Sequence, residues 1–164
     1  MAGKINILGH PVHPMVIVYP LTFFTAAVVL DAIYLLHHGA LAGTISFWSI
    51  GLGVASGLVA AIFGTADWIG LESGTRAKRI GLWHGGVNVL MTTLFAVSWL
   101  LRRDAPATPP FSAIVLGFTA FAISLLGAWL GGELVYRLSV GVDEGAHVNS
   151  PSSLSDRPAS ANKK

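Results

Sequence analysis

Imidazoles and carboxylates stand out in this chain because so little else in it is polar. His10 and His13 precede the first long apolar run and Asp67 closes the second, while His84 and Asn88 open the third and Glu133 ends the fourth. Ionisable groups inside a membrane cost a few kcal/mol each even on lenient scales, so each must find a partner or face the interior. Two chemistries fit histidines from different helices with carboxylates beside them. The first is a haem b held axially by one imidazole from the first helix and one from the third, with His13 and His84 as ligands and Asn88 in support. The second is a transition-metal site drawn from His10, His13, His84, Asp67 and Glu133. Neither has a diagnostic local motif, since no HExxH and no CxxCH run occurs. Interhelical hydrogen bonding alone would also employ His84 and Asn88. The absence of cysteine excludes disulfides, iron–sulfur ligation, thiolate zinc sites and cysteine nucleophiles together.

The elements that must position these groups follow from composition. The 164 residues are 53% hydrophobic and 11% charged, against about 25% charged in a soluble domain, and the mean hydropathy is +0.66. Too few charges exist to coat a water-facing surface, and a net charge of +2 is no nucleic-acid signature. Four apolar runs, at about 15–36, 45–66, 80–101 and 111–138, each reach the roughly 20 residues that a helix needs to cross a bilayer. Barrel-type alternation is absent, and backbone amides in lipid must be bonded internally, so the runs are helices. Short connections force antiparallel neighbours. The expectation is an all-α polytopic membrane protein, an up-and-down four-helix transmembrane bundle over residues 15–138.

Flanking this bundle, residues 1–14 form a polar segment rich in His and Pro, and residues 141–164 read as a disordered tail of Ser, Pro, Ala and charge. Lys4, Arg76, Lys78, Arg79 and Arg137 lie at one end of the spans, against Arg102 and Arg103 at the other. Five against two places both termini in the cytoplasm. Ala40-Leu41-Ala42 resembles a signal-cleavage site, but the apolar run before it is too long for a signal and holds Asp31 near its end.

Angular spacing places Ser49, Gly53, Gly57, Ala60 and Gly64 on one stripe of the second helix, with Asp67 extending it. Gly117, Ala120, Ser124, Gly127 and Gly131 form a similar seam on the fourth, and His84, Asn88, Met91, Phe95 and Ser98 share a face of the third. Glu133 falls opposite the fourth helix's seam unless Gly131-Gly132 re-aims the chain. His10-Pro11-Val12-His13-Pro14 is expected to be extended, because the residue before a proline avoids the helical region. Pro20 should kink the first helix by deleting its bond to Val16. Asp31 belongs to the opposite membrane face, near Tyr34, His37 and His38.

Gly9-His10-Pro11-Val12-His13-Pro14, Gly64-Thr65-Ala66-Asp67-Trp68, His84 with Asn88, and Gly131-Gly132-Glu133-Leu134-Val135-Tyr136 together resemble the bacterial membrane family known as domain of unknown function 2231, over about residues 9 to 142. The resemblance implies a four-helix protein of the bacterial inner membrane with no established activity. Some relatives look like fusions with Rieske-type iron–sulfur domains, which implies a redox partnership. The family's polar residues fall here on His10, His13, Asp67, His84, Asn88 and Glu133. Leu138 departs from the pattern, standing where relatives often carry a histidine or tyrosine.

The function expected is therefore an electron-transfer component with a haem b or metal site at the cytoplasmic end, working with a redox protein partner in the lipid bilayer. A structural or assembly protein without cofactor is the alternative, its glycine seams docking other helices or a second copy. A proton relay or transporter through Asp31, Asp67 and Glu133 lacks a charged step across the roughly 27 Å between its ends. A hydrolase lacks a nucleophile and a phosphate-cradling loop, so no enzyme activity is assigned.

Overall fold

A computed structural model describes residues 5–162; Lys4 of the basic count and the last two residues of the tail lie outside the described residues. A short antiparallel hairpin, β1 (Asn6–Ile7) with β2 (His10–Pro11), leads into α1 (Val12–Val16) and α2 (Val18–His37). Then follow α3 (Ala40–Gly70), α4 (Arg76–Leu101) and α5 (Phe111–Gly132), the last continuing as a π-helical turn over Glu133–Arg137. Four stretches are long and apolar enough to cross a membrane: Val12–His37, Ala40–Gly70, Arg76–Leu101 and Phe111–Arg137. The all-α four-helix expectation holds, with α2 packed chiefly on α3 and α4 on α5, and the α3–α4 and α2–α5 contacts closing the bundle.

The first span departs from expectation at its start. Pro11 is extended, but Val12, His13 and Pro14 are helical. Pro14 stands in the first turn, where a missing N–H leaves no intrahelical bond unmade, and this outweighs the preference of His13 for extended backbone. The expected irregularity from Pro20 falls at Ile17, where α1 and α2 are interrupted, because the pyrrolidine ring crowds the carbonyl four residues earlier.

Phe24, Ala27, Val28, Ile50, Met91, Phe95 and Ala120 make the core, with the Phe24 and Phe95 rings stacked at 4.0 Å. Outward faces carry leucine, isoleucine and tryptophan, including Ile62 and Leu125 at mid-helix, both more than 60% exposed. Water would penalise such a surface and lipid tails do not.

Several glycines of the stripes are filled from within the chain. An added Cβ on Gly53 would stand 2.6 Å from Phe24, on Gly64 2.8 Å from His13 Cε1, and on Gly131 3.2 Å from His84 Cε1. Each of these glycines makes room for an aromatic or imidazole ring of a neighbouring helix, whereas Gly57 meets nothing closer than 3.8 Å. From Ser139 onward the described chain runs in turns without helix or strand.

Candidate functional site

Helix periodicity and the glycine notches together bring His13 and His84 to one end of the bundle. Their ring centroids stand 6.5 Å apart with the planes nearly perpendicular. His13 lies in the notch at Gly64, and its Nδ1 donates to the Ala60 carbonyl on α3 at 3.0 Å. His84 lies against Gly131, and its Nδ1 donates to the Gly127 carbonyl on α5 at 2.9 Å. A carbonyl can only accept, so in each ring Nδ1 carries the proton and Nε2 is left with the lone pair in the neutral form.

Asn88 defines the state of His84 further. Its Nδ2 donates to the His84 carbonyl at 2.8 Å, which fixes the orientation of the amide, and the same nitrogen stands 3.2 Å from His84 Nε2. A donor facing Nε2 requires that atom to be unprotonated. Gly127 admits the amide, since a Cβ there would stand 3.1 Å from Asn88 Oδ1. The expected shared face of α4 is present: His84 and Asn88 are half-buried, and Met91, Phe95 and Ser98 are buried below them.

Of the remaining sequence candidates, His10 and Glu133 have partners elsewhere. His10 is exposed on the hairpin, its Nε2 3.3 Å from the Ser153 hydroxyl of the tail. Glu133 is bonded to Arg76 of α4 at 2.6 Å; the backbone is regular α-helix through Gly132 and Glu133, so Gly131-Gly132 does not re-aim the chain and Glu133 keeps its α-helical angle. Asp67 is half-buried near the end of α3. Among the described residues no three His, Asp or Glu side chains come together in a group that could hold a metal ion. Of the set His10, His13, His84, Asp67 and Glu133, His13 and His84 stand in ring contact.

At the opposite end lies a polar cluster that the sequence reading missed. Asp31 lies at this end as expected, but it is 1% exposed and forms a two-pronged ion pair with Arg102, itself fully buried, at 2.6 and 2.7 Å. Ser46 donates to Asp31 at 2.6 Å, and the Arg102 guanidinium also donates to Ser46 and to the Ala113 carbonyl. Gly117 leaves space beside both charges. Arg102 therefore is not a free loop cation. The rule that an intramembrane carboxylate needs a partner pointed to a basic residue near that end, and Arg102 closes α4 there.

Four spanning helices with an imidazole pair at one end and a sealed ion pair at the other define a polytopic α-helical membrane protein. The family model described as Predicted membrane protein (DUF2231) matches residues 9–144. The chain belongs to that family, and the match takes in every site residue named above. No curated protein and no solved structure matches the chain.

Proposed function

We propose that this protein is a membrane electron-transfer component in which His13 and His84 serve as the axial ligands of a haem b. The observation that carries this reading is the matched state of the two rings. Both have Nδ1 committed to a backbone carbonyl, so both offer Nε2 as a lone-pair donor, and such outer bonds fix the tautomer and raise the basicity of ligating imidazoles. Their ring centroids stand 6.5 Å apart, near enough for the two imidazoles to share one iron.

The donor count favours haem over a bare transition-metal ion. An ion bound by the protein alone generally wants about four donors, and only two imidazoles converge among the described residues. A haem would bring most of its iron's donors with it and would need from the protein only the imidazoles of His13 and His84. When bound, haem would supply a reversible one-electron couple. The chain's own residues hold and orient the ligands: Ala60 and Gly127 fix the rings, Gly64 and Gly131 admit them, and Asn88 keeps its bond to the His84 carbonyl whether or not Nε2 is engaged.

Among the described residues Arg76, Lys78, Arg79 and Arg137 lie at the imidazole end and Arg103 is the cation left free of a buried pair at the other. That asymmetry supports an imidazole end facing the cytoplasm of a bacterial inner membrane, where a soluble or membrane redox partner would meet it.

A scaffold without cofactor is the second reading. The observation favouring it is that His84 Nδ1 and Nε2 both already have partners, so that His84, Asn88 and Gly127 can act as an interhelical hydrogen-bonded staple. The test is the visible spectrum of the detergent-solubilised protein expressed with ample haem. A reducible haem band, altered or lost in His13→Ala and His84→Ala and unchanged in His37→Ala, is expected. A colourless protein overturns the haem reading in favour of the scaffold.

A further inference from the structure

We propose that the groove at the corner between α3 and α4 binds the headgroup of an anionic phospholipid. The groove encloses about 260 Å³ and is lined by Trp68, Gly74, Thr75, Lys78, Arg79 and Leu82. No carboxylate lines it.

Its depth follows from the helix rise. His84 and Arg102 are separated by about 27 Å along α4, close to the roughly 30 Å thickness of a hydrocarbon core. Arg79 stands about 7.5 Å further out than His84, which puts the groove in the headgroup layer.

Two cations of different kinds form its wall. Lys78 Nζ donates to the Trp68 carbonyl at 2.7 Å and the Ile69 carbonyl at 3.3 Å, and lies 4.2 Å from the centre of the Trp68 ring. Its charge is therefore fixed in place. Arg76 is engaged with Glu133. The Arg79 guanidinium is exposed and makes no hydrogen bond or ion pair among the described residues, so its donors are available to a ligand. On the membrane side Leu82, Trp83 and Ile69 are exposed and apolar, a surface suited to acyl chains. Cationic wall, aromatic side and apolar floor match an amphiphile whose phosphate sits at Lys78 and Arg79. A zwitterionic lipid brings its own cation beside the phosphate, next to the fixed charge of Lys78 and the free one of Arg79, and is disfavoured.

This inference does not depend on the haem reading. It is tested by native mass spectrometry of the full-length protein titrated separately with phosphatidylglycerol and phosphatidylcholine. A preference for phosphatidylglycerol is expected, and Arg79→Gln should reduce it about fivefold, the contribution of one basic residue beside an anionic headgroup. Arg79→Lys should retain most of the preference, and Arg103→Gln at the other end should leave it unchanged. Equal affinity for the two lipids, or a preference unaffected by Arg79→Gln, would overturn the proposal. Displacement of phosphatidylglycerol by an equal concentration of inorganic phosphate would also overturn it, assigning the groove to a soluble anion.

Discussion

Removing Asp31 should damage this protein more than any substitution at the exposed ends of its helices. Asp31→Leu deletes both bonds from Arg102 and the one from Ser46. Arg102 then keeps only Ser46 and the Ala113 carbonyl, with its Nε already lacking a partner and no counter-charge in a fully buried site. Breaking a buried pair from one side costs about 3–5 kcal/mol, which at about 2–4 °C per kcal/mol for a chain of this size lowers the melting temperature by roughly 6–20 °C. Arg102→Met should cost less, because a carboxylate can relieve an unpaired charge by binding a proton and a guanidinium has no such exit. The double variant Asp31→Leu/Arg102→Met should recover much of the loss. In it Ser46 still donates to the Ala27 carbonyl at 3.2 Å and Ala113 still accepts from Ser98 at 2.6 Å, so neither is orphaned. Thermal unfolding of the four proteins in one detergent, followed by tryptophan fluorescence, measures the cycle. A single-variant shift under about 3 °C, or a double variant as unstable as the two singles combined, would refute the account of this pair as a mutually compensating unit.

Other expectations follow from the same geometry. Gly64→Ala should push the His13 ring from its notch and reproduce the spectral effect of His13→Ala, whereas Gly57→Ala, with ordinary contacts only, should leave the spectrum unchanged. Gly53→Ala should destabilise the protein more than Gly57→Ala by roughly 1–3 kcal/mol of overpacking against Phe24, and equal melting temperatures would contradict this. Reporter fusions after Thr44 and Ala105 should behave as periplasmic and those after Thr75 as cytoplasmic; activity in the reverse pattern would place the imidazole pair outside the cell.

The spans were legible from the sequence because bilayer thickness and backbone hydrogen bonding leave one solution for a long apolar run, and both requirements are local. Periodicity likewise identified the α4 face bearing His84 and Asn88, and the small-residue stripes on α3 and α5, since angle along a helix depends on residue number alone. What the stripes accommodate was not legible. Gly64 and Gly131 receive imidazoles and Gly53 a phenyl ring, and which neighbour fills a notch depends on the rotation and axial offset of another helix. The pairing of Arg102 with Asp31 was decided the same way: an arginine at a span end reads as a loop charge until a helix packed beside it offers a carboxylate at the same depth. Glu133 was decided the same way. Its carboxylate meets Arg76, and whether a cation of α4 reaches the end of α5 depends on how the two helices are offset. Composition thus determined the solvent and the helices, while helix-to-helix register alone determined which polar groups became partners.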